Sequence, residues 1–305
     1  MATDIVLHTH NLGKRYKKRW AVKGLNLEVA RGEVFGFLGP NGAGKSTTIR
    51  MLLSLIRATE GSVDLFGMAM RSHRKKVLAR VGGLVERADF YLYLSARKNL
   101  ELIAALMGGL PRRTIDAALD TVGLLHRADD KVKTFSHGMK QRLGIAQAML
   151  NTPELIILDE PTTGLDPQGI KEIRDLITSL SGSMTIFLSS HLLSEIEQVA
   201  TSMAIINMGE LVVQGKVRDL LNAGESTVRI DARPVEQALL VVRAQPYVGT
   251  LTEKDGILEA AMSFDRSGVL NRALVEAGLE VRMISPRRSL EEYFLSITAG
   301  TSDIR

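Results

Sequence analysis

Gly39-Pro40-Asn41-Gly42-Ala43-Gly44-Lys45-Ser46-Thr47 fills every fixed position of G-x-x-x-x-G-K-[ST], the loop that cradles a polyphosphate. The apolar run Val34 to Leu38 before it reads as a strand. Thr47 to Ile56 after it reads as a helix, which is the setting this loop requires. The glycines let successive backbone N–H groups turn inward, and the helix N-terminus adds partial positive charge. Lys45 is placed to reach the β- and γ-phosphates, and Ser46 to put its hydroxyl on Mg²⁺. The stretch predicts a nucleotide site in an α/β fold.

Around the loop, residues 1–60 alternate short β-type runs (Ile5 to Leu7, Ala21 to Val29, Val34 to Leu38) with turns such as Arg31-Gly32. From Ser95 to about Leu150 the period is helical, with Leu100, Ile103, Ala104 and Met107 on one face. Pro111 can begin the next helix and Gly123 can end it. Leu155 to Leu158, Thr185 to Leu188 and Met203 to Ile206 then alternate with helical runs, for which a parallel, doubly covered sheet is the economical solution. Asn222 to Ser226 marks an expected boundary, giving domains 1–222 and 223–305. Beyond it the order is βαββαβ-α, as in a ferredoxin-like α+β domain. A hairpin signal at Asp255-Gly256 joins Tyr247 to Thr252 with Ile257 to Met262. A capping box at Ser289-Leu290-Glu291-Glu292 opens a last helix that should bury Leu290, Tyr293, Phe294 and Ile297.

Bulk composition narrows the class. At 305 residues, 45% hydrophobic and 24% charged, the chain is globular, with no apolar run of membrane-spanning length. Met1-Ala2-Thr3-Asp4 lacks the basic start of a secretory signal. No cysteine is present, which excludes disulfides, thiol catalysis and cysteine-bound zinc. The net charge of +5 gathers in Lys14 to Arg19 and Arg71 to Arg80. Either run could favour nucleic acid or an anionic membrane surface, but with Tyr16 as the one aromatic among them neither has the interleaving of a single-strand platform, so solvated faces are expected and nucleic acid is not.

Further motifs narrow the chemistry. Leu155-Ile156-Ile157-Leu158-Asp159-Glu160 is an apolar strand ending in two carboxylates. Asp159 can hold Mg²⁺, and Glu160 can orient or deprotonate the attacking water. Thr163-Gly164-Leu165-Asp166-Pro167 and Ser189-Ser190-His191 follow, and the His191 imidazole could meet a γ-phosphate oxygen. Upstream, Phe135-Ser136-His137-Gly138-Met139 precedes a helix. Ser136 is a natural N-cap there, and Gly138 leaves N–H groups open to an anion.

In these motifs the chain resembles the ATP-binding subunits of ABC transporters over residues 4–215. The family's elements occur in its usual order: Tyr16 as the adenine-stacking aromatic, the loop at 39–47, and Glu86 at the Q-loop position. The signature at 135–139, Asp159-Glu160, Asp166 and the switch His191 follow. The resemblance implies a P-loop ATPase core of mixed sheet plus a helical subdomain at about 95–150. It also implies bound ATP and Mg²⁺, with Ser46, Glu86 and Asp159 toward the metal and Ser136 and Gly138 serving the nucleotide of a second copy. A separately encoded membrane permease is the implied partner, met on the inner face of the cell membrane, with Phe90-Tyr91-Leu92-Tyr93-Leu94 as its docking loop. The C-terminal extension looks like the branch of antibiotic and multidrug exporters. Two departures stand out. Glu86 replaces the usual Gln, and the signature reads Phe-Ser-His-Gly-Met where Leu-Ser-Gly-Gly-Gln is common.

Three classes fit such a cassette: a transport motor, an ATPase acting on ribosomes or DNA, and a regulatory binder without turnover. A single cassette with no heptad run between Lys45 and Lys133 disfavours the second, and the presence of both Glu160 and His191 disfavours the third.

Overall fold

The computed structural model describes residues 4–86, 88–222 and 227–287, which divide into two compact units, one up to Val217 and one from Arg218. The capping box at Ser289 and the helix expected after it lie outside the described residues, as does most of the segment from Asn222 to Ser226.

The first unit carries two sheets. One is antiparallel and five-stranded: β1 (Ile5–Tyr16), β2 (Arg19–Leu25), β3 (Glu28–Ala30), β5 (Glu60–Leu65) and β6 (Met68–Ala69). The run Ala21 to Val29, expected as one strand, is two. β2 and β3 pair with different parts of β1, because Asn26 leaves the ladder to hydrogen-bond Asn11 and the Gly24 carbonyl. The other sheet is six-stranded, in the order β11-β10-β4-β9-β8-β7. It consists of β4 (Val34–Leu38), β7 (Val81–Leu84), β8 (Leu155–Leu158), β9 (Thr185–Ser190), β10 (Ser202–Asn207) and β11 (Glu210–Lys216). Five strands run parallel and β11 is antiparallel, so the sheet is mixed, as the family resemblance implies, with a parallel core of five strands.

Every residue of β4, β8 and β9 is buried, as strands covered on both faces must be. On one face Phe187 stacks on Phe35 at 5.5 Å and meets Phe37 tilted at 5.4 Å between ring centres, and the three join α1 (Lys45–Leu52) and the antiparallel sheet in one core. On the other, α7 (Leu193–Val199) lies so close that a Cβ on Gly36 would stand 2.4 Å from Ile196. α1 is shorter than its expected span to Ile56. It ends at Leu52, and Ser54 turns left-handed at φ 54°. α2 (Met70–Leu78) presents the basic run 71–76 to solvent, as a solvated face should.

Between β7 and β8 lie α3 (Ala96–Leu106), α4 (Arg112–Thr121) and α5 (His137–Met149). Ser95 caps α3, Pro111 precedes α4, Gly123 follows it at φ 66°, and Ser136 caps α5 by accepting from the Met139 N–H. α6 (Pro167–Leu180) is capped by Asp166, and α8 (Val217–Asn222) follows β11.

The second unit contains β12 (Thr227–Arg233), α9 (Val235–Arg243), β13 (Leu251–Lys254), β14 (Ile257–Ala261), α10 (Ser267–Glu276) and β15 (Glu280–Arg287). Its four strands pair antiparallel in the order β13-β14-β12-β15 over a core that includes Val228, Ile230, Ala238, Val242, Leu270 and Leu274. Asp255 and Gly256 turn the hairpin at φ 54° and 75°. The strand before them starts at Leu251, not Tyr247, since Gly249 bonds across to Ala261 outside the ladder.

Candidate active site

Strand β4 delivers the loop 39–47 to the edge where β8 and β9 also end, because Leu38 pairs with Ser190 and Leu158 with Leu188. Parallel strands thus place the loop, Asp159-Glu160 and His191 side by side. Two glycines of the loop are fixed by crowding. A Cβ on Gly39 would meet the Ile206 carbonyl at 2.4 Å. On Gly44, at φ 108°, it would meet the Ala21 carbonyl at 2.5 Å. Strand β2 therefore backs the loop. Tyr16, at the turn of the same hairpin, is exposed, with the Lys14 ammonium 5.2 Å from its ring centre.

Lys45 is only 5% exposed, and its ammonium donates to the Gly39 carbonyl at 2.7 Å. It also lies 3.1 Å from Glu160 Oε1. The other carboxylate oxygen, Oε2, accepts from Thr163 Oγ1 at 2.8 Å and lies 2.8 Å from His191 Nδ1. Burial pushes the Glu160 carboxyl up. The Thr163 hydroxyl, the Lys45 charge and the His191 bond outweigh it and hold the group below the ordinary carboxylate range. Such a carboxylate is ionised at neutral pH, as a group that orients or deprotonates water must be. Glu160 takes a left-handed φ of 48°, a strained geometry that surrounding contacts must enforce.

Asp159 is 4% exposed and accepts from Ser189 Oγ at 2.7 Å, while Ser189 Oγ accepts from the Glu160 N–H at 2.9 Å. Ser46, Glu86, Asp159, Glu160 and Thr163, with His137 and Gln141 of α5, line one cavity of about 230 Å³. Its hydroxyl and carboxylate oxygens are the hard donors that Mg²⁺ takes, and no group of three metal-binding side chains forms among the described residues. A site that offers one or two carboxylates and leaves the remaining positions to phosphate and water is what Mg²⁺ occupies in nucleotide enzymes, so the donor set fits. Glu86 pairs with Arg50 of α1, so the charge introduced in place of Gln has a partner. Ser136 and Gly138 are not among the cavity's lining. They open α5 beside α6, where a Cβ on Gly138 would stand 3.7 Å from Gly169.

Sequence reasoning missed Ser189, Arg50 and Gln141. Only the register of β8 against β9 could have pointed to Ser189, and nothing in sequence pairs Arg50 with Glu86.

The model of the ABC transporter family matches residues 22–163. The bacitracin transport ATP-binding protein BcrA of Bacillus licheniformis is 42% identical, over 97% of this chain and 98% of its own length. The structure of cbiO1 from Clostridium perfringens, part of the ABC transporter complex cbiONQ, is 28% identical at a TM-score of 0.65. It covers 71% of this chain and 90% of its own. A dimeric post-hydrolysis state of the ATP-binding cassette MJ0796, bound to ADP and Pi, is 25% identical at a TM-score of 0.62. It covers 70% of this chain and 99% of its own.

Proposed function

Since this chain belongs to the ATP-binding proteins of ABC transporters, we propose that it powers the export of an antibiotic or another amphipathic compound through a separate membrane permease. It binds and hydrolyses ATP. The observation that carries the site reading is the single Glu160 carboxylate set between the Lys45 ammonium and the His191 imidazole above the phosphate loop.

In that reading the loop amides and Lys45 bind the β- and γ-phosphates, and Tyr16 stacks on the adenine. Asp159, Ser46 and Glu86 hold Mg²⁺, which neutralises charge on the phosphates during transfer. Glu160 orients the attacking water. His191, whose Nδ1 faces Glu160, is left with Nε2 free to meet a γ-phosphate oxygen. Ser136 and Gly138, which are not among this cavity's lining, serve the nucleotide of a second copy, so two chains close head-to-tail on two ATP molecules. Export of a bacitracin-like compound follows the similarity to BcrA along nearly the whole chain. Association with the cytoplasmic face through the exposed Tyr91 and Tyr93 belongs to the same proposal. We further assign the second unit to the ferredoxin-like arrangement, from its βαββαβ order and its strand order.

Sedimentation of Glu160→Gln tests the shared site. It should run as a monomer without nucleotide and as a dimer with Mg-ATP, and Ser136→Arg should abolish the dimer. Intact dimerisation and turnover in Ser136→Arg would refute the arrangement.

A further inference from the structure

Glu195, in the first turn of α7, touches neither the loop nor the cavity, yet its carboxylate joins the two segments that carry Glu160 and His191. One oxygen, Oε2, accepts from Thr162 Oγ1 at 2.7 Å and from Ser190 Oγ at 2.8 Å. Thr162 lies in the turn after Glu160, next to the Thr163 whose hydroxyl reaches the Glu160 carboxylate. Ser190 is the last residue of β9, is 2% exposed, and accepts from the Leu192 N–H at 2.9 Å, so it fixes the backbone on both sides of His191. Glu195 also borders a cavity of about 180 Å³ lined by Ile170, Ile177, Leu188 and Val199 together with the polar Arg174 and Gln198.

We infer that Glu195 is a positioning residue for hydrolysis, holding Glu160 and His191 in one register through Thr162 and Ser190. The inference rests on the reading of those two residues as the hydrolytic pair. The left-handed backbone at Glu160 makes such a brace necessary, because a non-glycine residue stays at φ 48° only where neighbouring contacts over-determine it. With Glu195 cut back, the two hydroxyls lose their shared acceptor, the turn and the strand end become independent, and the Glu160–His191 contact at 2.8 Å loosens.

The chemistry gives a sharp control. Both hydroxyls donate to the same oxygen, so the carbonyl oxygen of a glutamine can accept both. A role through charge, such as stabilising the N-terminus of α7, would not survive that change.

The test uses the full chain, with phosphate release for turnover, a fluorescent ATP analogue for binding, and thermal unfolding. Glu195→Ala should lower kcat about ten- to a hundredfold, the scale of a small misplacement of reacting groups, with analogue affinity unchanged. Glu195→Gln should restore most of the lost turnover. Adding Thr162→Val to Glu195→Ala should cost nothing more, since the bond is already gone. If Glu195→Ala fails to fold, Thr162→Val with Ser190→Ala replaces it and should show the same fall in kcat. Wild-type turnover in Glu195→Ala, or a Glu195→Gln as slow as Glu195→Ala, overturns the inference. Glu160→Gln is the separating control: if it hydrolyses ATP normally, the hydrolytic pair itself is wrong, whereas an inactive Glu160→Gln beside a fully active Glu195→Ala removes only the positioning role.

Discussion

Replacing Glu160 by glutamine removes one negative charge and leaves the side chain its shape. The carboxylate holds three partners: Thr163 and His191 on Oε2 at 2.8 Å each, and Lys45 on Oε1 at 3.1 Å. A glutamine oxygen can still accept from Thr163 and His191, so the turn and the imidazole should stay in place, while the amide nitrogen replaces Oε1 and the ion pair with Lys45 is lost. What disappears is the anion that draws a proton from water. Loss of a positioned general base costs about 10²- to 10⁴-fold. At about 1.4 kcal/mol per factor of ten, that is roughly 3–5.5 kcal/mol on the barrier. The loss should fall on kcat and leave nucleotide affinity intact, because the loop amides and Lys45 are unchanged. Steady-state phosphate release measures the first quantity, and titration with a fluorescent ATP analogue the second. Combining Glu160→Gln with His191→Ala should lower turnover little further, as expected of groups that act as a unit. Turnover within about tenfold of wild type, below the range for loss of a general base, would refute the assignment of Glu160. Loss of nucleotide binding would show that it acts on the ground state.

Gly44→Ala should abolish ATP binding, because a Cβ there would lie 2.5 Å from the Ala21 carbonyl on a left-handed backbone; analogue titration at wild-type affinity would contradict this. Glu154, held down to about 2 by Arg80 and Arg31, contributes stability that is complete above its ordinary pKa of 4.5 and is lost as pH falls through about 2. Its carboxylate is 40% exposed, so solvent screens much of the effect, and Glu154→Gln should cost about 1 kcal/mol at neutral pH. Urea unfolding from pH 7 down to 3 should show that difference narrowing, and a difference that widens toward acid would reverse the sign. Tyr91→Ala with Tyr93→Ala removes two exposed rings that meet edge-on at 5.9 Å. It should weaken pull-down of the permease while the free chain melts as before, since Asn99 holds this loop through the Tyr91 backbone.

Much of the site was legible because its chemistry is local. The loop, the Asp-Glu pair at a strand end and the His after a strand each need only their neighbours in sequence to be recognised. The cap at Ser136 and the turn at Asp255-Gly256 are set by a few adjacent side chains, so those boundaries could be placed in advance, whereas the caps at Ser95 and Asp166 emerge from the structure. The antiparallel sheet was not legible. β1 runs to Tyr16 through residues with little alternation, and its partners come from both before and after the loop, so the pairing is stabilised by contacts distant in sequence.

The phosphate-binding loop, the Asp159-Glu160 pair and His191 are legible in the sequence itself, because each is written in spacings shorter than one strand or helix, and the βαββαβ order because each of its elements carries its own periodicity. Only the tertiary structure decided which groups meet. The parallel register of β8 and β9 brings Ser189 to Asp159, the approach of α1 to the segment after β7 gives Glu86 its arginine, and the first turn of α7 carries Glu195 to Thr162 and Ser190. Hydrogen bonds act over about 3 Å in space, and residues 30 or more positions apart come that close only when strand pairing and helix packing fold the chain onto itself.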